Sequence, residues 1–339
     1  MERNELSLNS RGGSELMQER LYTSIDQELL DKFQIVLSRV RELKDDKYRI
    51  FWAHDVAGDP EATSALARMN WRRFHRLVFV SNSQMQEYCS TYMIPYQACS
   101  VIENGVILDS DEKIKFDFGS DSHLGTDKVP VKLIYHTTPQ RGLNILVPVF
   151  KKLREKYNVE LDVYSSFEIY GWKDADKNFE SLLNECKNTP GINYYGTVSN
   201  EEVRKAISKS HIFAYPSIWK ETSCLALIEA GVSGLTIVHP NLGALFDTAG
   251  GMTNMYQFVE DINVHAGLFY HNLEKSIVEL IESSNSNDDS RILERMRYFR
   301  KRFDWTNKME EWSNLLKTID AIAPDKNIPL EIFDYTVYK

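Results

Sequence analysis

Two glutamates lie eight positions apart in YPSIWKETSCLALIEAGVSG, residues 215–234: Glu221 and Glu229. The apolar run before them ends at Pro216 and reads as a strand. A loop then carries Lys220 and Glu221, and a helix is expected to begin near Thr222. On that reading, the backbone N–H groups of Thr222, Ser223, Cys224 and Leu225 are the unpaired donors of a helix start. Such an end favours a pyrophosphate through its free donors and its dipole, and small residues there let phosphate come close. An ionised carboxylate only accepts hydrogen bonds. Glu221 and Glu229 therefore suit sugar hydroxyls on either side of the anion and do not suit the anion itself. The bland alternative is a helix-terminal acid followed by a surface charge.

Other residue types invite chemistry. His54 and Asp55, in WAHD, close an apolar run. Arg68, Arg72 and Arg76 recur every four residues, with Trp71, Arg73 and His75 between them, on a helix expected over 61–75. That stripe is either a solvated face or a seat for an anionic acceptor: a phospholipid surface, a phosphorylated carrier or nucleic acid. The formal net charge of −9 over 339 residues disfavours a protein built to coat nucleic acid. The four cysteines, Cys89, Cys99, Cys186 and Cys224, form no C-x-x-C pair and have no histidine at metal spacing. That argues against disulfide or zinc frameworks and for a reducing cytoplasm. The start, MERNELSLNSRGG, lacks the apolar run of a signal peptide, and no stretch approaches ~20 consecutive apolar residues. Peripheral contact with a membrane stays open.

The elements that must position these residues alternate. Apolar runs at 33–38, 48–55, 76–83 and 98–106 read as strands, separated by helical stretches at 14–30, 61–75 and 84–93. A charged, Gly- and Ser-containing stretch at 107–128 reads as a linker. The alternation resumes with strands at 131–138, 159–166, 192–198 and 211–217, each followed by a helical pattern, then a strand at 235–240, and the chain is helical and charged from about 273. Strands alternating with helices imply parallel sheets covered on both faces. Ligands of such sheets sit at the carboxyl ends of the strands, where His54, Ser81, Asn104, His136, Ser165, Gly196 and Pro216 fall. The expected division is residues 1–110, a linker at 111–128, a second domain at 129–300, and a helix and tail at 301–339 returning to the first. The length suits two domains of roughly 150 residues.

The 215–234 segment resembles the E-x7-E element of retaining GT-B glycosyltransferases, family 4 in particular. The resemblance covers most of residues 10–317 and is strongest over 131–250. It implies two Rossmann-like α/β domains facing a central cleft, with Glu221 on the donor sugar and Glu229 on the ribose hydroxyls of the nucleotide. IYHTTPQRGLNIL, 134–146, resembles the loop where the family places an arginine and a lysine on the donor diphosphate. Arg141 matches the lysine, and an arginine fork binds phosphate bidentately. His136 stands where the family has its arginine. It either donates a hydrogen bond there, with Thr138 beside it, or leaves the charge to Arg141 and Lys220. Gly196, Thr197 and Val198 match the residues that meet the base through their backbone. The same stretch also reads as a turn into a helix capped by Ser199 or Asn200, with Glu202 closing the box. Gly12 and Gly13 match the glycine loop that approaches the donor phosphate and sugar, although the first strand that normally precedes it is abbreviated in ERNELSLN. His54 matches a histidine near the anomeric carbon, with Asp55 orienting it or an acceptor hydroxyl and Arg72 on the acceptor side. Asn104 and Gly105 read as a turn before the linker, and Trp305 and Trp312 as packing residues of the terminal helix.

The resemblance thus implies a metal-independent, retaining glycosyltransferase. It would need no cofactor beyond a nucleotide-diphosphate sugar and would act on the hydroxyl of a glycan, glycolipid or glycoprotein. DSD at 109–111 and DAD at 174–176 match the metal-binding D-x-D of another glycosyltransferase fold only superficially and read as solvated loops. Two rivals stand beside this reading: an enzyme acting on modified bases in DNA, and a catalytically weak module that binds nucleotide or glycan.

Overall fold

A computed structural model describes residues 12–60, 65–67, 69–108, 124–286, 288–322, 326 and 328. The chain divides into two units. The first comprises Met1–Gly105, Glu221–Ser223 and Trp305–Lys339, and the second Val106–Lys220 and Cys224–Asp304.

In the first unit the helices α1 (Gly13–Ser24) and α2 (Gln27–Leu30) precede the strands β1 (Phe33–Leu37), β2 (Tyr48–Ala53), β3 (Arg76–Phe79) and β4 (Cys99–Val101). The strands pair in that order, all parallel. All of YRIFWA in β2 is buried, as a strand covered on both faces requires. Even Arg49 is buried there, because its guanidinium donates to the carbonyls of Arg73, Lys44 and Ile328 at 2.8, 2.8 and 2.6 Å. Helix α3 (Asn82–Tyr92) is started by Ser81, whose hydroxyl accepts from the Gln84 N–H, and it ends at Met93 in a left-handed conformation. The terminal helix Trp305–Ile322 belongs to this unit. Trp312 packs edge-on against Trp52 with centroids 4.8 Å apart, and Trp305 Nε1 donates to Ser24 Oγ at 2.8 Å. Gly105 lies directly against Trp305 and Lys308.

The second unit holds β5 (Val131–Tyr135), α4 (Leu143–Arg154), β6 (Val159–Val163), α5 (Glu180–Asn188), β7 (Ile192–Tyr194), α6 (Asn200–Ile207) and β8 (Ile212–Ala214). After them come α7 (Leu225–Val232), β9 (Thr236–Pro240), α8 (Leu245–Ala249), β10 (Asn254–Tyr256), α9 (Ile262–Ser286) and α10 (Ser290–Phe303), which makes the terminal helix α11. The parallel sheet runs β10-β9-β8-β5-β6-β7, so the strand order reverses between β5 and β8. Helix α7 packs on α10 so closely that a Cβ on Gly231 would stand 2.4 Å from the Phe299 ring. Helix α6 opens with the complete capping box of Ser199 and Glu202, as its local sequence suggests.

The two parallel sheets bear out the α/β expectation, and two local expectations are corrected. The helix expected over 61–75 is interrupted: Met69 is left-handed at φ +64°, and Asn70–Arg73 forms a 3-10 turn that feeds β3. Arg76 is therefore the first residue of a strand, Arg73 bonds back to the Ala65 and Asn70 carbonyls, and Arg68 lies outside the described residues. No single helix face carries the three arginines. The helix expected to begin near Thr222 begins at Leu225, with Cys224 as its N-cap. The short first strand and the DSD at 109–111 also lie outside the described residues.

Candidate functional site

The reversal between β5 and β8 marks the crevice where parallel α/β sheets take ligands. Beyond β5 the chain makes a 3-10 turn, Pro139–Arg141, and enters α4 through Gly142 at φ +115°. Only glycine fits there, since a Cβ would stand 2.2 Å from the Pro216 carbonyl oxygen. That carbonyl also accepts from His265 Nε2 at 3.3 Å. The loop after β8 is thereby fixed against the loop after β5. Its tip carries Trp219, 46% exposed, whose N–H donates to the buried Ser217 hydroxyl at 3.2 Å. The Arg141 guanidinium lies over the Trp219 ring, 5.6 Å from its centroid. Lys220 is exposed beside it.

Helix α7 follows. Its first N–H groups, on Leu225, Ala226 and Leu227, have no intrahelical partner by geometry, and the Cys224 side chain makes no capping bond. The donors expected at 222–225 are thus displaced toward the helix interior. Glu229 is half-buried within α7. His136, at the end of β5, packs on Phe213 with centroids 4.6 Å apart and donates from Nε2 to the Ala226 carbonyl at 3.2 Å. Burial pushes its pKa down to about 4, so it is a neutral ring at pH 7.

Register extends this edge. Tyr135, Val163 and Tyr194 pair across β5, β6 and β7, so Thr137, Ser165 and Gly196 lie two residues beyond one common row. Gly196 has φ +67°. Along this edge His136 Nδ1, Thr137 Oγ1, Thr138 Oγ1, Gln140 Oε1, Ser165 Oγ and Thr197 Oγ1 are buried without a hydrogen-bond partner among the described residues. Buried polar atoms are normally paired, and each unpaired one costs about 1–3 kcal/mol. Their concentration at three adjacent strand ends fits a polar ligand. Val198 is half-buried next to them. Thr137, Gln140 and Trp219 were not among the residues singled out from the sequence. Strand-end register could have found Thr137, and nothing local marks Gln140 or Trp219. In the DAD stretch, Asp174 pairs with Lys177, and Asp176 accepts from the Phe167 N–H at 2.8 Å, stapling its own loop. Among the described residues no group of three or more His, Cys, Asp or Glu is placed to hold a metal ion. The four cysteines are buried and none is in a disulfide.

In the first unit, Glu221–Ser223 is bonded to the carboxyl ends of β2 and β3. Thr222 Oγ1 donates to the His54 carbonyl at 2.8 Å, and Ser81 Oγ donates to the Thr222 carbonyl at 2.7 Å. Glu221 is buried and Ser223 half-buried. Ser38, left-handed at φ +56°, accepts the N–H groups of His54 and Asp55 at 2.8 and 3.2 Å. The His54 ring packs edge-on against Trp52 at 4.6 Å, and burial lowers its pKa to about 3. The Asp55 carbonyl is held by Gln84 Nε2 and the Tyr88 hydroxyl at 2.9 and 3.0 Å. Gly12 is the N-cap of α1, and Gly13 is its first residue. The parallel strands separate Arg72 from these residues: it precedes β3, at the amino edge of the sheet, exposed and over the Trp71 ring. It does not join His54 and Asp55.

Residues 127–250 match the family model of glycosyl transferases group 1. An uncharacterized glycosyltransferase of Methanocaldococcus jannaschii is 24% identical over 56% of this chain and 48% of its own. The chain thus spans about half the length of the curated relatives it matches. A glycosyltransferase of Rickettsia africae superposes with a TM-score of 0.63 at 17% identity, over 94% of this chain and 85% of that one. HepE of Anabaena, solved in complex with UDP-glucose, superposes at 0.57 and 12% identity, over 80% and 72% of the two chains. The fold is that of GT-B glycosyltransferases, and the match to the glycosyl transferases group 1 model falls within the second unit except for Glu221–Ser223. No helix among the described residues is long and apolar enough to cross a membrane.

Proposed function

We propose that this chain is a retaining glycosyltransferase that moves a sugar from a nucleotide diphosphate to a hydroxyl acceptor and requires no metal. One observation carries the reading. At the β5/β8 reversal, Arg141, stacked on Trp219, and the start of α7 belong to the same edge of one sheet. A guanidinium fork and a helix start together match a leaving diphosphate and stabilise the charge that grows on it. Glu229 serves the ribose and Glu221 the transferred sugar. Gly196–Val198 receive the base, and Gly12 and Gly13 approach the phosphate. The acceptor hydroxyl attacks from the face the diphosphate leaves, and the departing phosphate oxygen takes its proton. The complex of HepE with UDP-glucose makes UDP-glucose the first donor to try. A glycan, glycolipid or glycoprotein is the acceptor class, and the enzyme works in the cytoplasm or at a membrane face. Nothing in the arrangement of Arg72, Arg73 and Arg76 favours DNA.

The test is a donor screen by thermal shift and donor hydrolysis with UDP-, GDP-, ADP- and TDP-sugars in EDTA. A donor at ~100 times its Kd stabilises the fold by about 2.7 kcal/mol. One nucleotide family is expected to give this shift, and Arg141→Ala and Glu229→Ala are expected to lose it. A chain that binds none of them, or binds only when metal is added, refutes the corresponding part.

A further inference from the structure

At the position where the resemblance puts a phosphate-binding arginine, this chain offers an acceptor. A carbonyl oxygen only accepts, so the bond from His136 to the Ala226 carbonyl fixes a proton on Nε2. A neutral imidazole carries one N–H, which leaves Nδ1 as a bare lone pair, buried and without a partner among the described residues. The oxygens of an ionised diphosphate are acceptors too, and lone pair facing lone pair repels. The group that matches Nδ1 must donate. The hydroxyls of the next two residues, Thr137 and Thr138, do not bond to it and have no partner among the described residues. Four side-chain atoms of the turn after β5, on His136, Thr137, Thr138 and Gln140, are thus unsatisfied among the described residues and would gain hydrogen bonds from a ligand.

Position narrows the donating group. His136 ends β5, beside β8 and the start of α7, whereas Gly196–Val198 follow β7, two strands away and about 10 Å off. His136 thus belongs to the phosphate and sugar end of the edge and not to the base. We propose that His136 accepts, through Nδ1, a hydrogen bond from a hydroxyl of the transferred sugar. It is then a determinant of sugar specificity, and the diphosphate charge rests on Arg141 and the start of α7. This deepens the proposed donor site and rests on it.

The test is calorimetric titration of the full chain with matched pairs: UDP and UDP-glucose, GDP and GDP-mannose, ADP and ADP-glucose. His136→Gln keeps a donor for the Ala226 carbonyl and removes the acceptor at Nδ1. For the pair that binds, the affinity advantage of the sugar nucleotide over the bare diphosphate is expected to fall roughly three- to tenfold, with the diphosphate itself unaffected. His136→Asn, which can present its amide oxygen at the Nδ1 position, is expected to restore most of the advantage. An unchanged advantage, or an equal loss for diphosphate and sugar nucleotide, overturns the proposal while leaving the donor site standing. If no pair binds the wild-type chain, the donor reading falls and takes this one with it. The imidazole 15N spectrum of the free wild-type chain needs no variant: a proton on Nε2 is expected, and a proton on Nδ1 overturns the assignment.

Discussion

Gly142→Ala is the sharpest perturbation of the second unit. The glycine sits at φ +115°, where an L-residue is strained by about 1–3 kcal/mol. Its new Cβ would also stand 2.2 Å from the Pro216 oxygen. Ordinary contact needs more than 1 Å of additional separation. The obstacle is backbone, and it is held from its other side by His265. Overpacking of this kind costs about 1–3 kcal/mol. The expected total is about 3 kcal/mol, or roughly 6–12 °C in the unfolding of a unit this size. The control is Gly171→Ala, also at positive φ (+73°) but with nothing within 4 Å of the new Cβ. It carries the strain without the collision and should cost about 1 kcal/mol. Calorimetry of both variants, with donor titration of each, separates the two effects. Gly142→Ala should weaken donor binding because the Pro216–Lys220 loop has to move, and Gly171→Ala should not. If Gly142→Ala melts and binds like Gly171→Ala, the close approach of the two loops is wrong.

Gly231→Ala drives a Cβ into the Phe299 ring and should cost about 2 kcal/mol; Phe299→Leu should be less harmful in its presence than alone, which a double-mutant cycle in urea checks. Arg49→Met leaves three carbonyls without their donor and should cost about 3 kcal/mol by urea unfolding; full stability would show that water replaces the guanidinium. His54, His136, His211 and His239 have folded pKa values of about 3, 4, 4 and 4, depressed from 6.5 mainly by burial. The unfolded chain therefore binds more protons in that range. The stability contributed by the neutral rings is present above pH 6.5 and is lost as pH falls toward 4. Urea midpoints that stay flat between these values would contradict the burial of the rings.

The parallel sheets were legible because fully buried strands read as continuous apolar runs, as in YRIFWA and VKLIY. The Ser199–Glu202 cap was legible because its partners are three residues apart. Long-range bonds were not. Thr222 is a good helix starter in isolation, but its hydroxyl is committed to the His54 carbonyl and its own carbonyl to Ser81, so the helix waits until Leu225. The arginine spacing suited a helix that the left-handed Met69 breaks. In the candidate site, Arg141 and Glu229 stood out by motif. Trp219 did not, because its role depends on a guanidinium brought to it from the loop after another strand.

The terminal helix has a bearing on how the chain is made. The first unit starts at the amino end, yet it includes Glu221–Ser223 and Trp305 onward, while the second unit lies almost wholly between. During translation the second unit can close its sheet once residue 304 has left the ribosome. The first must hold Trp52 without the Trp312 ring that covers it until the last helix emerges. Synthesis order and completion order are thus reversed. The packing around His54, which leans on Trp52, is completed only when α11 arrives, and a chain released before α11 would expose the apolar surface that invites chaperones and aggregation.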